Sequence, residues 1–410
     1  MKHTTPMNHC RLQGQFLKRC VISAGLVACT LPALLQAAPY TPSNDQQVLE
    51  TLPGRGGDPA SRELADLRLA AAKAPLDPEP ATALAQAYFD QALAKGDPRY
   101  VGYADAIVSR FGAAKSPTML TLRGVLRQYR HDFAGGLQDF AAALALDPSY
   151  ATAHAWRGAV FLVQADYVAA QTECTALQRL GRDALAGACL GLARAYGGQL
   201  KSGYETLRAT LGQVSSSGSR LWLLTRLGEV AAWRGQTAQA QTHYREALQL
   251  GRDDVYLLAA WSDFLLDAGR PAEVVRLLTS WESADSLLLR LAEAETTLQL
   301  PAAARHRQML TDRFAAARAR GDTTHRSEEA RFELRLRNDA ATALRLAQEN
   351  YAVQREPRDA RVLLEAAVAA KNPGAAKAAL DWLQHSGFED ARTRALARSV
   401  EMAGTKGVAP

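Results

Sequence analysis

Cysteine is almost missing from the 410-residue chain: five residues, at positions 10, 20, 29, 174 and 189. A small fold stapled by disulfides is therefore excluded. The eight histidines are scattered, none within His-Glu-x-x-His or beside a cysteine pair at metal-ligand spacing, so no metal site is expected. The glycine-rich stretch 54–57 lacks the Gly-Lys-Ser/Thr of a phosphate loop. The serines of 212–219 (GQVSSSGS) have no Gly-x-Ser-x-Gly frame and read as loop. Beyond residue 35 no run is apolar enough to span a bilayer. An excess of one charge is also lacking. Formally the chain carries +6, but Lys2, Arg11, Lys18 and Arg19 precede residue 38 without an acid. With those four set aside, the 48 bases fall to 44 against 42 acids. A near-neutral body gives no argument for nucleic acid. No catalytic residues and no cofactor are expected.

What is present is repetition. Residues 117–148 read PTMLTLRGVLRQYRHDFAGGLQDFAAALALDP: a helix, a turn at His131, Asp132 and Phe133, a second helix, and a stop at Asp147-Pro148. Counting Pro117 as first, Gly124 is eighth, Gly136 twentieth, Phe140 twenty-fourth and Pro148 thirty-second. This spacing resembles the tetratricopeptide repeat, a 34-residue helix–turn–helix unit. The same frame recurs at 151–180 (Gly158, Ala170, Cys174), 184–211 (Gly191, Gly203, Leu207), 221–250 (Gly228, Ala240, Tyr244) and 255–281 (Ser262, Val274). The resemblance implies an all-α, right-handed solenoid of about eight repeats. The organisation expected is a cap and divergent repeat over 60–116, core repeats over 117–284, divergent repeats and a cap over 285–403, and a tail over 404–410.

The amino terminus has the layout of an export signal over 1–37, with a basic segment, the apolar run 21–35, then Gln36, Ala37 and Ala38. Residues 38–59 are rich in proline, glycine and polar side chains, a linker. Leu26-Val27-Ala28-Cys29 resembles the lipobox of bacterial lipoproteins, which leaves two outcomes open. Cleavage would release the chain into the periplasm; lipidation of Cys29 would anchor it in the outer membrane, the one route to a membrane.

In tetratricopeptide arrays the first helices line a concave groove, with positions 2, 9 and 13 among those facing it. Carried onto this sequence, these are Trp222 and Tyr256, Glu229, Asp263 and Glu293, and Tyr129, Val163, Tyr196, Trp233 and Asp267. Aromatics beside a row of acids suit a protein or peptide partner with apolar and basic residues. The basic carboxylate clamp of chaperone-binding members is missing from these positions. The expected function is an exported scaffold for protein–protein interaction that assembles or regulates an envelope component. The alternative is a carbohydrate-binding accessory to polysaccharide or cell-wall export. In the repeat register Cys174 and Cys189 fall on neighbouring helices, open to a disulfide or to two buried thiols. His154 reads as a packed structural histidine. The nine arginines of 305–337 read as a solvated face with paired charges, or as a face toward an acidic partner or lipid head groups.

Overall fold

Short amphipathic runs separated by breaks of a few residues can bury their apolar stripes only against one another. In a computed structural model this produces twenty α-helices over the described residues, 59–111 and 116–406, with Asn44 besides. The export, lipidation and linker expectations lie outside the described residues, apart from Asn44 and Pro59. Helix α1 (Pro59–Lys73) stands before a first pair, α2 (Pro78–Lys95) and α3 (Arg99–Arg110). The pairs α4 (Pro117–Tyr129) with α5 (Phe133–Leu146), α6 (Ala151–Val163) with α7 (Tyr167–Arg179), and α8 (Asp183–Tyr196) with α9 (Leu200–Leu211) follow. Next come α10 (Ser217–Trp233) with α11 (Thr237–Gln249), and α12 (Val255–Asp267) with α13 (Pro271–Leu278). Last are α14 (Asp285–Thr297) with α15 (Ala302–Ala319), α16 (Arg326–Arg335) with α17 (Ala340–Tyr351), α18 (Pro357–Ala369) with α19 (Lys377–Ser386), and α20 (Ala391–Lys406). That makes nine pairs between two single helices. Helix α20 runs into the segment read as a tail.

The turns repeat one chemistry. In the turn within each pair the chain passes through a left-handed residue, among them His131 at φ 61°, Ala165 at 62°, Gly198 at 85°, Gly235 at 71° and Gly269 at 69°. An aspartate often follows as N-cap. Asp132 accepts from the Gly135 amide at 3.0 Å, and Asp166 from Ala169 at 3.0 Å. These bonds satisfy amides a helix start leaves unpaired.

Within a pair, the small residue and the aromatic of the repeat are one contact. A Cβ on Gly124 would lie 2.6 Å from the Phe140 ring, and one on Gly228 would lie 2.8 Å from Tyr244. Between pairs, Cys174 on α7 is bonded to Cys189 on α8, with Cα atoms 5.5 Å apart. Closing that 15-residue separation is worth about 3 kcal/mol by the chain-entropy account.

Neighbour contacts alone would leave an open spiral. This one closes on itself. The end of α2 meets the start of α12: Lys95 pairs with Asp253, and a Cβ on Gly96 would lie 2.9 Å from the Ala284 Cβ. Farther along, one apolar core runs without a break from Leu162 to Val400 and includes Leu192, Leu227, Leu291, Leu364 and Phe388. A separate apolar cluster serves the amino-terminal pairs, from Leu64 to Val160.

Candidate functional site: the concave face

The first helices α8, α10, α12 and α14 present the row of acids and aromatics that the repeat register assigns to the concave face. Side chains of α16, α18 and α20, with the loop before α20, cover that row.

Asp263 receives Arg290 at 2.6 Å and Arg331 of α16 at 2.6 Å. Burial pushes its carboxyl up, but the two guanidiniums outweigh burial and hold it well below the usual carboxylate range. Arg331 also grips Glu293, 7% exposed, at 2.6 and 2.7 Å, and Arg335 reaches the same carboxylate at 3.4 Å. Asp267 takes a two-point contact from Arg361 of α18, both bonds 2.7 Å, and a further ion pair from Arg392 of α20. Planar guanidiniums suit this duty, since each can serve two carboxylates at once.

The aromatics are engaged in the same way. Trp233 packs edge-to-face on Phe388 at 5.4 Å and on Tyr196 at 5.8 Å. Tyr196 is 3% exposed, and burial raises its phenol well above the usual value. The Tyr256 hydroxyl donates to Glu229 at 2.7 Å, while the Arg226 guanidinium lies 4.2 Å from the Tyr256 ring and bonds Glu229 at 2.9 Å. Arg226 also lies 5.5 Å from the ring of Trp222, which at 38% exposure is the most open of the set. Tyr129 stands apart, edge-on to Phe89 at 5.9 Å. Tyr167 completes the seam by accepting from the Trp382 indole at 2.8 Å, and the Arg355 amide donates to the Val163 carbonyl at 2.7 Å.

The structure thus gathers Asp263, Asp267 and Glu293 under shared arginines, Trp222, Glu229 and Tyr256 around Arg226, and Tyr196 and Trp233 against Phe388. Glu229, Trp233, Tyr256, Asp263 and Asp267 line one cavity together, and the chain's own arginines share that lining and pair with its acids. Nothing local in the sequence marks Arg361, Arg392 or Phe388 as groups that meet this row. The arginine-rich segment gave half the signal; the acidic row it answers lies on earlier repeats. That cavity measures 470 Å³, and Glu328, Asp359 and Asp390 also stand on its lining. Asp359 on that wall accepts from Ser327 at 2.8 Å and Asn350 at 3.0 Å. Burial pushes its carboxyl up to about 7, with Arg358 opposing and Glu356 adding to the rise.

Elsewhere, His154 is buried and shares 2.7 Å with Glu173 and 3.1 Å with the Pro148 carbonyl, a structural bond set. Among the described residues no group of three or more His, Cys, Asp or Glu could hold a metal. No helix among them is long and apolar enough to cross a membrane.

A second cleft lies nearer the amino terminus. Helices α2, α4 and α6 enclose a cleft of 490 Å³ lined by Glu79, Gln86, Thr118, Thr121, Thr152 and Trp156 among others.

Helix pairs joined by left-handed turns, with a small residue seated on the next helix's aromatic, define an all-α solenoid of the tetratricopeptide-repeat type. No protein-family description matches the sequence, and no curated protein matches it. Solved structures that it is similar to include a tetratricopeptide repeat protein from Parabacteroides merdae, at 14% identity over 59% of this chain and 87% of that one, TM-score 0.39. The human IFIT1 dimer matches at 12% identity over 85% and 87%, TM-score 0.45. Yeast Tom70 matches at 9% over 85% and 96%, TM-score 0.31.

Proposed function

We propose that this chain is an exported scaffold that holds a segment of a partner protein in the cell envelope, most simply in the periplasm. One observation carries the reading: the first helices line two clefts of similar size, and in the one that holds the acidic row the acids are already paired with the chain's own arginines, whereas the cleft of α2, α4 and α6 has no arginine on its lining. A partner seeking the acidic row would have to displace Arg331 and Arg361 from hydrogen bonds of 2.6–2.7 Å. The docking stretch we assign is therefore the amino-terminal cleft rather than the row from Glu229 to Glu293. Export is supported by the leader-like layout of residues 1–37 and by the bonded pair Cys174–Cys189, since disulfides persist in oxidising compartments.

The test is a photoactivatable cross-linker placed at Gln86 or Thr118 of the full chain in intact cells. A discrete protein adduct is expected from both positions and not from Val168, which is 77% exposed on α7. Equal capture at Val168, or adducts only to glycan, would overturn the reading.

A further inference from the structure

The 470 Å³ cavity keeps most of its charges in pairs, Asp263 with Arg331 and Asp267 with Arg361 among them. Three polar groups on its lining are not spent in this way. Glu328, in the first turn of α16, accepts a hydrogen bond from its own backbone amide and enters no ion pair among the described residues. Burial pushes its carboxyl up, but the charges of His325, Arg358 and Arg290 outweigh burial and hold it below its ordinary value, so it is ionised at neutral pH. Arg358, near the start of α18, gives one hydrogen bond, to Glu356 at 2.7 Å, and leaves the rest of its fork unused. Its side chain is 49% exposed, although burial is the largest influence on its guanidinium, pulling the pKa down before Glu356 and other neighbours raise it. A group that is hemmed in and yet wet faces an internal cavity rather than the outer surface. His131, in the turn between α4 and α5, stacks on Phe133 at 5.5 Å and bonds nothing through its ring nitrogens among the described residues. Burial lowers its pKa and keeps it neutral, able to donate one hydrogen and accept another.

The three converge from distant parts of the chain. Each lies within electrostatic reach of the other two, since Glu328 and Arg358 act on His131 and on each other. No ion pair joins Glu328 to Arg358, so a charge of each sign faces the cavity across a gap. We propose that this end of the cavity binds a free amino acid, with its carboxylate on the unused edge of Arg358, its ammonium on Glu328, and His131 bonding beside them. A planar guanidinium grips a carboxylate through two parallel N–H groups, and an ammonium brings three donors to Glu328. A ligand with a single charge would answer one group and leave the other without a counter-charge. A zwitterion answers both and adds no net charge. Elsewhere on the lining Ala259, Ala260, Phe264 and Val362 offer an apolar wall, which favours an apolar side chain on the ligand. The volume falls within the roughly 300–1,000 Å³ of small-molecule sites. This cavity shares no lining residue with the cleft of α2, α4 and α6, so the two sites stand or fall separately.

Calorimetric titration of the disulfide-intact chain with each of the free L-amino acids tests this. An apolar member (valine, leucine, isoleucine, methionine or phenylalanine) should bind at a single site with Kd below about 1 mM and raise the melting temperature. Its N-acetyl derivative lacks the ammonium and its methyl ester lacks the carboxylate. Each should bind about 10-fold or more weakly, the loss of one charge-assisted contact. Glu328→Gln should weaken the amino acid by the same factor and leave the N-acetyl derivative where it was. Arg358→Gln should likewise weaken the amino acid and leave the methyl ester where it was. A purely structural role would weaken all three compounds alike. Without ligand, Glu328→Gln should melt no lower than the parent, because that carboxylate holds no ion pair. No binding by any free amino acid at that concentration, a preference for a charged side chain, derivatives that bind as well as the amino acid, or a uniform loss across the three compounds in both variants would each overturn the proposal.

Discussion

Among the described residues, five other than glycine sit in left-handed turn positions that elsewhere are held by glycine, and Lys371 at φ 52° is one of them. A side chain there costs about 1–2 kcal/mol through the clash of Cβ with the following carbonyl. Glycine relieves the clash but gives back about 0.5–1 kcal/mol of chain entropy. Because Lys371 is exposed, Lys371→Gly should raise stability by about 0.5–1 kcal/mol, read as a later urea midpoint with an unchanged slope. A lower midpoint would show that the lysine side chain holds the turn. Trp233 is a different case, since its ring is wedged between Phe388 and Tyr196. Trp233→Ala should cost about 3 kcal/mol, as large-to-small changes in packed cores do. An unchanged melting temperature would mean the ring is free for a ligand. The contrast with Gly124 and Phe140 explains what the sequence makes legible. Those two meet across one short turn, so their spacing carries the contact. For Asp263 and Asp267, the register gives the face each leaves the helix from, but not what stands opposite. Their partners lie 68 and 94 residues away, on Arg331 and Arg361.

At the scale of elements, the helix order was readable almost throughout because each break carries its own turn and cap chemistry. The superhelical path was not, because it depends on small angles between successive pairs that no local motif encodes. The node joining α16, α17 and α18 shows what such closure does to one group. Asp359 accepts hydrogen bonds from Ser327 of α16 and Asn350 of α17 and caps α18 by accepting from the Glu356 amide at 3.1 Å. Its folded pKa, about 7, lies above the ordinary value of about 3.9. Between those limits the folded chain keeps a proton that the unfolded chain releases. The stability this proton supplies is therefore full below about pH 4 and lost as pH rises through about 7. Asp263 has the opposite sign and a lower window: its depressed pKa adds stability above about pH 4 that is lost on acidification. Asp359→Asn should flatten the decline between about pH 4 and 7, seen in urea midpoints measured across that range. A parent and variant with parallel profiles would place the titration elsewhere.

For the whole molecule, the question is which force keeps the spiral shut. The ion pairs from Arg331, Arg335, Arg361 and Arg392 are the most numerous links across the seam, and salt should weaken them if they were exposed. The innermost are not, since Arg331 is 12% exposed and Glu293 7%, whereas Arg335 and Arg361 are partly exposed and Arg392 is 54% exposed. Such pairs largely offset their own desolvation, so their net contribution to closure is small, although removing one partner is severe. Apolar burial has no such offset. Phe388 is fully buried, lies against Trp233 and Trp382, and belongs to the core that runs from Leu162 to Val400. At about 25 cal/mol per Å² removed from water, a buried phenylalanine contributes about 2–3 kcal/mol, and salt does not diminish it. Raising salt from about 50 mM to about 1 M should therefore leave the radius of gyration from small-angle scattering unchanged, even though the Debye length falls to about 3 Å. Phe388→Ala should lower the melting temperature far more than any salt change does. Expansion of the parent in high salt would mean that charge holds the seam, and that the acidic row can be opened to a basic partner after all.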